Sequence, residues 1–505
     1  MSEGLKEKYD ALAHLLQENS RLVGIMGILH WDQEVIMPVG ASESRAQQVG
    51  TLAGVLHEKK THPKMGKLLE QFSQTDESEF TNYEWCNIRE ARREFDMSTK
   101  IPKTLVTELA ELSSRAHLVW VKARSENKFS DFVPVLKRLI DLKIKWAGYV
   151  FPEMDAYDAN IDTYERGTTQ KEIAPIFDTL KAELIPLIKR IQESNYKPET
   201  SFLSGEFPLE KQEILGRKIS EDMGFMFDRG RMDVSVHPFC GGSHPTDVRI
   251  TTRYRTDNFI ESLYAVIHET GHGLYEQGRM ERDRDLPVSE ALTMAIHESQ
   301  SLFWERMIAQ GKSFCVRYLP LLADTFPHNF KNINPEQLYE AVNASEPSFI
   351  RVEADEVTYP MHVILRFELE RGLFDGSIQV EQLPEMWNAK MREYLGAEPP
   401  TDTLGVLQDT HWSGGAFGYF PSYTLGAIYA SQFYQALTRV HPDIETQIEV
   451  GDLAPIRKWL GSQIHQQGRL LSVPDLVKQV TGEKLNPGKF LEYLKTKYHQ
   501  IYRIN

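Results

Sequence analysis

The chain has 505 residues, of which 41% are hydrophobic, 26% charged and 10% aromatic, enough for one large core or two subdomains. A formal charge of −15 gives no basis for binding a polyanion, so nucleic acid is not an expected partner. No apolar run approaches the roughly 20 residues that a membrane-spanning helix needs, and no membrane association is expected.

The first 22 residues are charged and spaced as a helix rather than as an apolar leader. A Pro/Gly break at 37–40 (MPVG) ends the first helical unit, and another helix begins near Ser42. Apolar residues recur at three- and four-residue spacing in 172–194 and 358–373, which predicts helices there. Gly396 and the proline pair in GAEPPTDT (396–403) predict a loop. Cys86, Cys240 and Cys315 are scattered and lack ligand spacing, so free thiols in a reducing cytoplasm are expected. The main strand candidate is DVRITTRY (247–254), where Asp, Arg, Thr and Arg alternate with Val, Ile, Thr and Tyr. Its polar face reads as simple solvent exposure or as a cleft wall. The fold class is therefore mainly α, with a small β-sheet just before the most informative motif.

That motif is H-E-T-G-H at 268–272, inside NFIESLYAVIHETGHGLYEQ (258–277). Asn258 and Glu261 have capping-box spacing, Gly278 suits a C-terminal cap, and Phe259, Leu263, Val266, Ile267 and Leu274 supply an apolar stripe. His268 and His272 are four residues apart, so both imidazoles project from one helical face and can share one zinc ion. Glu269 lies beside that face, where a carboxylate can take a proton from activated water. Gly271 and Gly273 each cost roughly 1 kcal/mol against alanine inside a helix, a cost that makes sense where backbone or ligand approaches closely.

A catalytic zinc requires a third protein ligand. The next predicted helix, N-capped at Ser289 and closed by Gly311, carries Glu298 on a face with Ala291, Ala295 and Leu302. An unpaired carboxylate there would be expensive, and a metal ion relieves it. His297 is the rival ligand on the same helix, or else a donor to a ligand from the layer behind.

These residues resemble the carboxypeptidase Taq family of thermostable metallocarboxypeptidases. The match includes HPF at 237–239, D-x-R-x-T at 247–251, HETGH at 268–272, HESQ at 297–300 and IRVEADE at 350–356. It continues through GVLQDTHW at 405–412 and GYFPSYTLG at 418–426, and WDQEVIMPVGASESRAQQ at 31–48 resembles the family's opening segment. The resemblance implies an elongated helical fold with a deep active-site groove, residues 1–505 forming one catalytic unit whose N-terminal helices (about 1–100) partly cover it. It implies release of single C-terminal residues with broad preference, and usually a homodimer. It also implies Zn2+, with Co2+ sometimes effective, held by His268, His272 and Glu298, and Glu269 as general base.

Beyond the metal, an oxyanion donor is expected, and Tyr423 and His411 are the candidates; local structural roles are the alternative for both. A free substrate carboxylate calls for arginine. Arg351 is the choice, against an ion pair with Glu353, Asp355 or Glu356; Arg249 is second, against pairing with Asp247. His237 is a candidate lining residue, or a turn element. The competing functions are a zinc oligopeptidase or endopeptidase of similar shape, and a catalytically dead peptide-binding protein.

Overall fold

The computed structural model describes residues 2–504, and helices account for most of it. The predicted helices are present as Gln170–Glu193, opened by a Thr169–Glu172 capping box, and as Tyr359–Asp375. The 37–40 break separates helices Glu3–Val35 and Ser42–Lys60, which a 3-10 turn at Val39–Ala41 connects. Gly396, at φ 65°, ends the helix Leu383–Leu395 and opens the expected loop. No helix among the described residues is long and apolar enough to cross a membrane.

One three-stranded sheet is formed by β1 (Gly230–Val234), β2 (Cys240–His244) and β3 (Asp247–Thr252). β3 is central, parallel to β1 and antiparallel to β2, with Arg249 opposite Arg231 on one side and Gly241 on the other. Val248, Ile250 and Thr252 are buried while Asp247 and Arg249 are half-buried, as the alternation predicts. Thr251 is buried as well; its hydroxyl is satisfied by Ser235 Oγ at 2.7 Å and by the Phe239 N–H at 2.9 Å. The strand ends at Thr252, two residues short of the predicted 254.

Apolar side chains form two clusters. The larger spans the helices around the sheet; the smaller joins Tyr9, Leu12, Leu16, Met65 and Phe72 of the N-terminal helices to Val288. The first helix lies directly on β2. A Cβ at Gly24 would stand 2.6 Å from the Ser243 carbonyl oxygen, and one at Gly27 2.3 Å from that of Gly242. No side chain fits at either position, so glycine sets how closely the helix approaches the sheet. Trp31, on the same helix, lies under the guanidinium groups of Arg231 and Arg249, 4.8 and 4.7 Å from its ring centroid. Of the two arginines on the polar face of the predicted strand, Arg249 therefore faces an N-terminal helix, while Arg253 is exposed and pairs with Glu261.

Candidate metal centre

The motif helix runs from Phe259 to Gln277, and the Asn258 side chain accepts the Glu261 N–H at 3.2 Å. Only this half of the capping box forms, because the Glu261 carboxylate pairs with Arg253 instead. Phe259, Leu263, Val266, Ile267 and Leu274 are all buried, which fixes the helix's rotation and turns His268 and His272 to a common side.

The second helix begins later than the sequence suggested. Ser289 sits in a 3-10 turn, Pro287–Ser289, and the α-helix is Met294–Leu302 with Thr293 as its cap. The correction has a physical cause: Ser289 Oγ is buried and donates to the Met280 carbonyl, whereas Thr293 Oγ1 accepts the Ile296 N–H and Glu165 accepts that of Ala295 at 2.6 Å. From Phe303 to Ala309 the helix widens into a π-helix, a rare form that often occurs at functional sites.

Two glycines let neighbouring helices close on this segment. A Cβ at Gly271 would meet Ser301 Cα at 2.7 Å, so the motif helix and the Glu298 helix touch backbone to backbone. A Cβ at Gly426, on helix Pro421–Val440, would stand 2.8 Å from Cβ and Cγ of Glu298. The helix that carries Glu298 is thus held from both sides.

The result is a cluster in which one ligand atom each from His268, His272 and Glu298 lies within 4.8 Å of the others. Glu298 Oε1 is 4.0 Å from His268 Nε2, and Oε2 is 3.6 Å from His272 Nε2. Donor atoms each about 2.1 Å from a zinc ion in a tetrahedron stand roughly 3.4 Å apart, so the cluster is slightly wider than a filled shell. Two imidazoles and a carboxylate are a zinc-type donor set.

The layer behind supports the same reading. His268 Nδ1 is 2.6 Å from Glu305 Oε2 and donates to it, which turns Nε2 toward the cluster; burial lowers the imidazole's pKa, but Glu305 and Glu298 raise it to about 9, so Nε2 holds a proton that a metal ion would displace. His272 Nδ1 is 2.6 Å from His297 Nδ1, and His297 Nε2 is 3.0 Å from Glu276 Oε1. Glu276 accepts from the His297 Nε2–H, so the chain runs His272 to His297 to Glu276; burial lowers His272 to about 4, so its imidazole is neutral and Nε2 keeps a free lone pair. His297 thus stands behind a cluster residue. Burial pushes Glu298 up, but His272 and His268 overcome it and hold the carboxyl at about 2. Burial also raises Glu276; His297 and Arg279 bring it down to about 2.

Glu269 is 7% exposed, yet no protein group among the described residues hydrogen-bonds its carboxylate. Burial pushes its pKa to about 7, partly offset by His268 and reinforced by Glu298. A buried carboxylate of near-neutral pKa, free of internal partners and next to a metal-type cluster, has the properties of a general base.

Tyr423 and His411 come together: Tyr423 Oη is 3.3 Å from His411 Nε2. Tyr423 lies one turn before Gly426, on the helix that touches Glu298. Burial raises the Tyr423 hydroxyl well above its usual value and lowers His411 to about 4, so the phenol keeps its proton and the imidazole is neutral at pH 7. Arg351 stacks on Tyr423 with Cζ 4.7 Å from the ring centroid. Its ion pair is with Asp409 at 2.8 Å rather than with Glu353, Asp355 or Glu356, and its Nη1 donates to Tyr359 Oη at 2.5 Å. Arg249 is bound in a fork to Asp247, at 2.8 and 2.9 Å. His237 is exposed, and its backbone carbonyl accepts from Ser235 Oγ at 2.6 Å.

A profile of the carboxypeptidase Taq (M32) metallopeptidases matches residues 11–498. The chain belongs to that family. It is 38% identical to "Carboxypeptidase 1" of Bacillus subtilis (strain 168), with 98% of each chain covered. It is 37% identical to "Thermostable carboxypeptidase 1" of Thermus thermophilus, covering 98% of this chain and 99% of that one. The M32 carboxypeptidase of Deinococcus radiodurans R1 superposes with a TM-score of 0.95 at 35% identity, over 98% of this chain and 100% of that one.

For this M32 chain, sequence reasoning overlooked Glu276 and Glu305. Both had a legible signal: Glu276 follows His272 by four residues and Glu305 follows Glu298 by seven, each on the same helical face as a candidate ligand. It also missed Tyr359 and Tyr419, whose rings lie 6.0 and 5.3 Å from that of Tyr423.

Proposed function

We propose that this M32 chain is a zinc-dependent carboxypeptidase that releases single C-terminal residues from peptides with broad side-chain preference. The observation that carries the reading is the convergence of His268, His272 and Glu298 beside a carboxylate, Glu269, that no protein group among the described residues engages. The donor set fits zinc, and cobalt, with similar ligand preferences, substitutes for it. When bound, zinc would polarise the scissile carbonyl and make water acidic enough to attack near pH 7.

Glu269 takes the proton of the attacking water and delivers it to the departing amine. Tyr423, still protonated, donates a hydrogen bond to the oxygen that gains negative charge, with His411 orienting its hydroxyl. Arg351 receives the free carboxylate through the N–H groups that Asp409 and Tyr359 leave over; Arg249, forked to Asp247, and His237 shape the far wall. Residues 1–505 act as one catalytic unit, and the N-terminal helices, packed on β2, cover part of the groove. Three free cysteines are consistent with a cytoplasmic enzyme, and we expect a homodimer.

The test is mass spectrometry of one peptide and its C-terminal amide, incubated with chelated enzyme before and after zinc is restored. The reading predicts a ladder of single-residue losses from the free acid alone, dependent on zinc. Internal cuts, or equal trimming of the amide, would replace it with the oligopeptidase reading.

A further inference from the structure

Arg306 follows Glu305 on the π-helical turn. Its side chain is 6% exposed, as enclosed as Glu269 at 7%. Among the described residues no carboxylate oxygen lies within ion-pair distance of it, no hydrogen bond from its guanidinium is formed, and its Nη1 is fully buried without a partner. A cation in such a place is costly unless something pairs with it.

The acidic groups that act on Arg306 are Glu305, Glu356 and Glu298, and each is bound to other donors. Glu305 accepts from His268 at 2.6 Å, Glu356 from Lys497 at 2.6 Å and from Tyr498 at 3.1 Å, and Glu298 faces the two histidines. Arg306 Cζ lies 5.2 Å from the centroid of Tyr359, and Arg351 Cζ lies 5.7 Å from the same centroid. Two guanidinium groups thus share one aromatic ring next to the metal cluster. Arg351 is neutralised by Asp409; Arg306 is not.

We propose that Arg306 is a substrate-binding residue whose guanidinium receives the free C-terminal carboxylate of the peptide, together with Arg351. The proposal rests on the carboxypeptidase reading and deepens it: the unpaired arginine makes the site selective for a free chain end, since an amide offers it no charge.

The experiment measures kcat and KM of zinc-loaded wild type, Arg306→Met and Arg306→Lys on one short peptide as free acid and as C-terminal amide, with zinc content and melting temperature recorded for each. Arg306→Met should raise KM for the acid about 30-fold, leave kcat within a few-fold, and remove most of the acid-over-amide preference. Arg306→Lys, which keeps the charge but not the fork, should restore part of that preference. Unchanged KM and preference in Arg306→Met would overturn the assignment. If Arg306→Met does not fold, Arg306→Lys decides, since wild-type KM and preference in that variant would overturn it equally. A wild type indifferent to amidation would defeat the carboxypeptidase reading itself, whereas a discriminating wild type with equally discriminating variants defeats only the role of Arg306.

Discussion

Gly426 touches Glu298: a Cβ atom at position 426 would lie 2.8 Å from both Cβ and Cγ of the glutamate. The candidate metal ligand is therefore positioned by the absence of a side chain on the opposing helix. Gly426→Ala gains helix propensity but has to push Glu298 or the helix away, an overpacking cost of about 1–3 kcal/mol. We expect reduced zinc occupancy and a lower melting temperature, read by metal analysis and calorimetry. Full occupancy with a higher melting temperature would show that the contact has slack.

Glu305 fixes the tautomer and orientation of His268 without belonging to the cluster. Glu305→Ala should weaken zinc binding about 10- to 100-fold while leaving the fold intact. Competition with a chromophoric chelator measures this. Affinity equal to that of wild type would remove Glu305 from the supporting layer.

Asp409 lies between two buried arginines, 2.8 Å from Arg351 and 2.5 Å from Arg366. Asp409→Asn leaves both cations underpaired and should cost about 3–5 kcal/mol. Denaturant unfolding is the check, and a loss below about 1 kcal/mol would mean that other groups balance these arginines.

Glu165 gives a pH dependence with a definite sign. Its carboxylate accepts from Ala295 N–H at 2.6 Å and from Ser422 Oγ at 2.7 Å, linking the starts of the helices that carry Glu298 and Tyr423. Burial raises its pKa from the ordinary glutamate value of about 4.5 to about 7, so between these values the folded state holds a proton that the unfolded state has released. Stability then falls as pH rises from about 4.5 to about 7 and is level above. Glu165→Gln mimics the protonated form, so its stability relative to wild type should improve by about 3 kcal/mol across that window. A stability difference that stays constant from pH 4.5 to 7 would contradict the assignment.

The metal cluster was legible in the sequence because helical geometry converts a spacing of four into a shared face, and because a glutamate on an apolar face demands a partner. The strand at 247–252 was legible for the parallel reason of a period of two. The start of the second helix was not. Ser289 and Thr293 are both competent caps, and the choice between them is made by Glu165, more than a hundred residues away. The partner of Arg351 was hidden in the same way: Glu353, Asp355 and Glu356 follow it within five positions, yet Asp409 claims it through the tertiary fold. Local pattern reports periodicity and capping, while long-range ion pairs depend on which helices meet.

The most direct test of the central claim is zinc per chain determined together with peptide turnover in wild type, Glu269→Gln and Glu298→Ala. The account predicts one zinc in wild type, one zinc with turnover about 1,000-fold lower in Glu269→Gln, and loss of both metal and turnover in Glu298→Ala. Full zinc occupancy and wild-type turnover in Glu298→Ala, or undiminished turnover in Glu269→Gln, would contradict it.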